Sequence, residues 1–179
     1  MVGNMVGKKV LNIGGKWLRT WTSKAVISWF YGLLGSGIMD GIRGRLDGYF
    51  LVVRTETLPG DVKILGRFLS YPYFWGSKPI ESETKEKMEQ NVAYKIWLFV
   101  YPSIPGGIDN PMINPFVDDV PSLSGLACLR LLVCLVEKDP LTSSGILYVE
   151  SVKKSGWNIE VELVGVEGED HCFHFFDPD

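Results

Sequence analysis

Asp139 and His171 are the residues of this 179-residue chain whose types and placement best suit acid–base chemistry. Asp139 stands just after the apolar run 130–136 and the polar pair Glu137 and Lys138, and His171 stands just after the run 159–166 and a polar, glycine-containing loop. If both runs are parallel strands, the two side chains arrive from consecutive strand tips at one sheet edge, which is where ligands bind in parallel α/β sheets. A carboxylate placed there holds the imidazole in one tautomer and stabilises the imidazolium during proton transfer. These would be two members of a three-residue acid–base–nucleophile set. Taken by itself, Asp139 before Pro140 is an ordinary turn aspartate. His171, Cys172 and His174 form one cluster of metal-ligand types, but without a second ligand pair, and Cys172 and Phe173 read as packing residues. Ser151 and Lys154 have a Ser-x-x-Lys spacing at a helix end with no supporting motif.

The elements that must position Asp139 and His171 are legible in residues 55–179. After the turn at Leu58-Pro59-Gly60, residues 62–70 form an apolar run of strand length that ends at Tyr71-Pro72. Residues 81–101 start with alternating charges and continue through Val92, Ile96, Trp97, Phe99 and Val100, a helix with a polar start that Pro102 stops. Five prolines between 102 and 121, with Gly106, Gly107, Asp109, Asn110 and Asn114 among them, exclude regular elements and predict a long structured loop over 102–123. Residues 130–136 read as a central parallel strand buried on both faces. Residues 144–154 fit a helix with Gly156 as its stop, and 159–166 alternate like a further strand. Strand, helix, strand with polar tips implies right-handed crossovers and a mainly parallel sheet of three strands. Residues 1–54 scatter glycine through apolar and basic residues with no sustained period, so no element is assigned to them.

Composition narrows the function classes. The length is that of about one domain, and 46% hydrophobic residues suffice for a packed core. A net charge of −3 removes the footprint of a general nucleic-acid binder. The charge is uneven: residues 1–39 hold Lys8, Lys9, Lys16, Arg19 and Lys24 and no acid, so they carry +5 and the rest −8. Three cysteines cannot form a closed disulfide set. Cys128 and Cys134, expected on one strand, lie too far apart to bridge, so reduced thiols and a cytoplasmic location are expected. Residues 25–39 are uncharged but shorter than the roughly 20 residues of a spanning helix and are broken by Gly32, Gly35 and Gly37, so no membrane association is expected. The acid-free start lacks the Arg and Ser enrichment of a transit peptide.

Four stretches together resemble the plant carboxylesterase family of the α/β-hydrolase fold: residues 57–80 (Thr-Leu-Pro-Gly through Ser-Tyr-Pro-Tyr-Phe-Trp-Gly-Ser-Lys-Pro-Ile), 101–115 (Tyr-Pro-Ser-Ile-Pro-Gly-Gly-Ile-Asp-Asn-Pro-Met-Ile-Asn-Pro), 131–139 (Leu-Leu-Val-Cys-Leu-Val-Glu-Lys-Asp) and 165–175 (Gly-Val-Glu-Gly-Glu-Asp-His-Cys-Phe-His-Phe). That family also holds the tuliposide-converting enzymes, 2-hydroxyisoflavanone dehydratase and the gibberellin receptor. The resemblance covers residues 55–179 and implies the C-terminal part of an α/β-hydrolase domain, with a partial fold of mainly parallel sheet, crossover helices and a cap segment. It implies hydrolysis of small carboxylic esters by a Ser-Asp-His triad, with Asp139 as the acid, His171 as the base, and residues 73–116 contributing to a cap over an acyl-ester pocket. It implies no cofactor and no metal; the partner would be a small-molecule ester substrate or ligand.

The chain departs from the family pattern upstream. In α/β-hydrolases the nucleophile precedes the acid and the histidine on a Gly-x-Ser-x-Gly elbow. No serine here has glycine two places before and two places after it, and no His-Gly-Gly-Gly oxyanion stretch is present. Ser36, in Gly35-Ser36-Gly37, lies 22 residues before Leu58, close to where the nucleophile would fall. Residues 1–54 are therefore expected to be an atypical, replaced or frame-shifted segment, and the chain to be a truncated member without the closing helix. Thr142-Ser143-Ser144 stands where the family has acidic and basic residues, which alters the hydrogen bonding expected near Asp139. The alternative is a non-catalytic ligand-binding or interaction protein derived from the same fold.

Overall fold

The run Arg130–Val136 contains no charge after its first residue, and a strand apolar at every position must be covered on both faces. In the computed structural model it is the third of four parallel strands, and everything from Leu131 to Val136 is buried. The structure describes residues 28–31, 66–80, 90, 92–111, 113–118, 122–125, 128–171 and 173. Within these the elements are β1 (Ser28–Tyr31), β2 (Gly66–Ser70), α1 (Val92–Val100), β3 (Arg130–Val136), α2 (Thr142–Lys154) and β4 (Glu160–Val166). The sheet order is β1-β2-β3-β4, all parallel, with Ser28 opposite Arg67, Gly66 opposite Arg130 and Arg130 opposite Glu160.

Alternation along β3 divides the core. Leu131, Val133 and Leu135 point to the face covered by Tyr148, Val149 and Val152 of α2, and Leu69 and Phe74 join them. Leu132, Cys134 and Val136 point the other way, with Phe68, Tyr71, Val166 and Phe173. The helix reaches the sheet closely because Gly145 has no side chain: a Cβ there would overlap the Leu135 methyls. Gly145→Ala is expected to lower stability by about 1–3 kcal/mol through overpacking, despite alanine's better helix propensity. Urea unfolding of the variant checks this, and a midpoint equal to or above that of the parent protein would count against it.

A third cluster contains Trp75, Trp97, Ile113 and Leu141, flanked by Tyr73, Tyr101, Ile104 and Ile108. Trp97 Nε1 donates to the Gly107 carbonyl at 2.9 Å, and the Trp75 amide donates to the Ile113 carbonyl at 3.1 Å. The proline-rich loop is thus fastened at both ends to α1 and to the segment after β2. Asp109 ties it further, accepting from the Ser77 amide and from Asn114 Nδ2, each at 2.9 Å. Burial opposes the Asp109 charge, but these two donors with Lys78 nearby outweigh it and hold the carboxyl below its usual range.

Several expectations are corrected. The loop over 102–123 does contain a short regular piece, a 3-10 turn at Gly107–Asp109, and a second begins at its last residue, Leu123–Gly125, because such turns need few consecutive hydrogen bonds and tolerate nearby prolines. Gly106 and Gly107 enter the first of these with φ of 79° and 55°, conformations that glycine adopts without strain. Cys128 lies two residues before β3 rather than on it, with its thiol donating to the Arg130 carbonyl. The sheet has a fourth strand, β1, inside the stretch to which no element was assigned. α2 starts at Thr142, two residues before the expected Ser144, and ends at the expected Lys154, with Gly156 at φ 77° just beyond. The polar start of α1 and the strand residues before Gly66 lie outside the described residues.

Candidate active site

Because β3 and β4 are parallel and in register through Val136 and Val166, their tips leave the sheet side by side. The ladder continues one step beyond the strands: the Glu137 amide donates to the Val166 carbonyl at 2.9 Å and the Lys138 amide to the Glu169 carbonyl at 3.1 Å. The two loops run together as far as Asp139 and His171, and there His171 Nδ1 lies 2.5 Å from Asp139 Oδ2.

Asp139 is buried, with its side chain only 2% exposed, and both carboxylate oxygens are engaged. Oδ1 accepts the Leu141 amide at 2.8 Å while Oδ2 meets the imidazole. Pro140 and Leu141 turn the chain into α2, so this carboxylate sits at the helix N-terminus, where amides point outward and the dipole favours an anion. Thr142 completes the turn: its amide donates to the Asp139 carbonyl at 3.0 Å and its hydroxyl to the Val136 carbonyl at 2.5 Å. Thr142, one of the three residues that differ from the family pattern at this point, therefore supports the turn that presents Asp139.

An ionised carboxylate only accepts, so Nδ1 of His171 is the donor and Nε2 is the basic nitrogen of the ring. The His171 side chain is 16% exposed, which leaves it partly open to a reactant. Tyr71, the residue after β2, packs its ring beside the imidazole with centroids 5.7 Å apart, and against Phe173 at 6.3 Å. Its backbone is left-handed, φ 50°, unusual for an aromatic residue, and its amide is held by the Cys134 carbonyl at 3.0 Å. This neighbour of His171 gave no signal in the sequence, since nothing in Ser-Tyr-Pro announces a left-handed tyrosine.

Of the other candidates, Ser151, Lys154, Cys128 and Cys134 serve elsewhere. Ser36, Cys172 and His174 lie outside the described residues. Ser151 donates to the Leu147 carbonyl, and Lys154 pairs with Glu150, so that serine and lysine serve the helix. Burial, with Glu162 nearby, pushes the Cys134 thiol up to about 12, and burial also raises Cys128 against the opposing pull of the Arg67 guanidinium, so neither described thiol is a thiolate nucleophile at neutral pH. Among the described residues no group of three His, Cys, Asp or Glu could hold a metal ion, and no helix is long and apolar enough to cross a membrane. A cavity of about 260 Å³ lies between residues 76–80 and 109–118, inside the expected cap, with Leu147 at its floor; its lining includes neither Asp139 nor His171.

A parallel sheet whose consecutive strand tips bring an aspartate onto a histidine is the arrangement of the α/β-hydrolase fold, and the model of that family matches residues 50–175, so the chain belongs to it. Among characterised proteins it is 48% identical over 129 residues to a 2-hydroxyisoflavanone dehydratase of Glycyrrhiza echinata, covering 72% of this chain and 39% of that protein. It is 52% identical over 124 residues to the corresponding dehydratase of Glycine max, covering 69% and 39%. It is 40% identical over 131 residues to the probable carboxylesterase 2 of Arabidopsis thaliana, covering 73% and 41%. The chain thus spans about two-fifths of the length of these relatives. Among solved structures, an esterase of Pyrobaculum calidifontis is 26% identical, with a TM-score of 0.46 over 63% of this chain and 36% of that one.

Proposed function

We propose that this chain carries the acid–base half of a carboxylesterase-type site, with Asp139 orienting His171 in the geometry of a general base toward a small carboxylic ester or ester-like ligand. The 2.5 Å contact between Asp139 Oδ2 and His171 Nδ1, with the second carboxylate oxygen held by the Leu141 amide, carries this reading. It fixes the tautomer in which Nε2 can take a proton from a nucleophile and return it to a leaving alcohol. Supporting it are the esterase-type relatives and the exposure of the ring on the strand-tip edge.

The nucleophile and oxyanion motifs are not found within these 179 residues. No serine stands in a Gly-x-Ser-x-Gly elbow and no His-Gly-Gly-Gly stretch supplies oxyanion donors. Loss of a single such donor typically lowers the rate by about 10²–10³. On this reading the residues of this chain act as an esterase-derived binder, the pair facing an ester-like ligand without turning it over. Folded protein treated with a fluorophosphonate, with adducts located by mass spectrometry, is expected to show no serine labelled above the level of the His171→Ala variant.

One observation favours a second reading. β1 is parallel to β2, so the chain leaves Tyr31 at the same sheet edge as Asp139 and His171, and Ser36 comes five residues later. Labelling at Ser36 that His171→Ala abolishes would overturn the binder reading and make the chain a working esterase.

A further inference from the structure

We infer that Glu137 is a positioning residue for His171. Its carboxylate Oε2 accepts the Gly168 amide at 2.7 Å, a side-chain bond across 31 residues of sequence, from the tip of β3 to the turn after β4. The inference rests on the reading of Asp139 and His171 as an acid–base pair and adds what holds the second member in place.

The geometry makes this bond different from the backbone bonds beside it. The Glu137 and Lys138 amides extend the ladder to Val166 and Glu169, but between those two carbonyls the chain turns through Gly168, at φ 75°. For the Gly168 amide the Glu137 side chain supplies the acceptor. Three residues further on, in the same loop, stands His171. A charged acceptor on a backbone amide makes a stronger bond than a neutral one, so an exposed carboxylate can serve here as a clamp. Glu137 acts through the position of the turn.

The test reads the imidazole directly and does not depend on turnover. In the parent protein the His171 Nδ1 proton, held against Asp139, is expected as a low-field proton resonance, and the Gly168 amide as a slowly exchanging one. Glu137→Ala is expected to broaden the His171 signal beyond detection through exchange with water and to speed Gly168 exchange about tenfold. Glu137→Gln, whose side-chain carbonyl still accepts, is expected to retain the His171 signal. If Glu137→Ala does not melt cooperatively, Glu137→Asp, one methylene short of Gly168, takes its place with the same expectation. A low-field signal unchanged in Glu137→Ala or Glu137→Asp overturns the inference while leaving the Asp139–His171 pair intact. Absence of the signal in the parent protein overturns the pair itself, and the inference with it.

Discussion

Asp139→Ala is expected to destabilise the protein by about 3 kcal/mol, far more than a surface aspartate. The carboxylate is almost fully buried and receives two hydrogen bonds, from the Leu141 amide and His171 Nδ1, and bonds to a charged acceptor contribute about 1.5–3 kcal/mol each. Alanine leaves both donors facing a space from which water is largely excluded. Asp139→Asn separates the two contributions. An asparagine oxygen can still accept from Leu141, but its amide then faces Nδ1–H of the imidazole, two donors against each other. The ring resolves this by carrying its proton on Nε2, so the smaller loss of stability comes with a change of tautomer. Urea midpoints give the stabilities and histidine ¹⁵N shifts give the tautomer. An alanine variant as stable as the parent, or an asparagine variant with an unchanged tautomer, would contradict the geometry of the pair.

Trp97→Ala is expected to have the largest effect of any single truncation, about 4 kcal/mol. The indole is 1% exposed at the centre of the cluster that joins α1, the proline-rich loop and Leu141. Its ring lies 4.8 Å from that of Tyr101 and its Nε1 holds the Gly107 carbonyl. Since domains are typically stable by only about 5–15 kcal/mol, the variant should be close to unfolding at 25 °C. Trp97→Phe keeps most of the volume and loses the hydrogen bond, so it should cost less than half as much. Calorimetric melting of both variants is the measurement, and equal melting temperatures would show that volume at this site is unimportant.

The sequence was most readable where structure follows from local pattern. Arg130–Val136 has its observed bounds because the apolar run lies between charged residues, Arg130 at its start and Glu137 and Lys138 after its end, and α2 ends just before a glycine that takes positive φ. The start of α2 carries none of the usual residue signals, because Leu141 caps it without a side-chain bond. β1 was missed because its four residues, Ser-Trp-Phe-Tyr, show no alternation to read; what makes them a strand is the pairing with β2, some forty positions away. For the site, the placement of Asp139 and His171 at successive strand tips was legible, and the family resemblance sharpened it. Glu137 and Tyr71 were not, since one depends on the direction of a single amide at Gly168 and the other on a left-handed backbone at the end of β2.

The all-parallel register also bears on how the chain assembles. No strand can find its neighbour through a tight hairpin: 30 residues separate Arg130 from Glu160 across the β3–β4 pairing, and 64 separate Gly66 from Arg130 across the β2–β3 pairing. Closing the longer span costs only about 0.7 kcal/mol more in chain entropy, because that cost grows with the logarithm of loop length. Loop length therefore hardly ranks the two encounters. The advantage of β3–β4 lies in α2, which brings its own apolar stripe of Tyr148, Val149 and Val152 to the first contact. The unit that gains most from forming early is the one whose two tips carry Asp139 and His171.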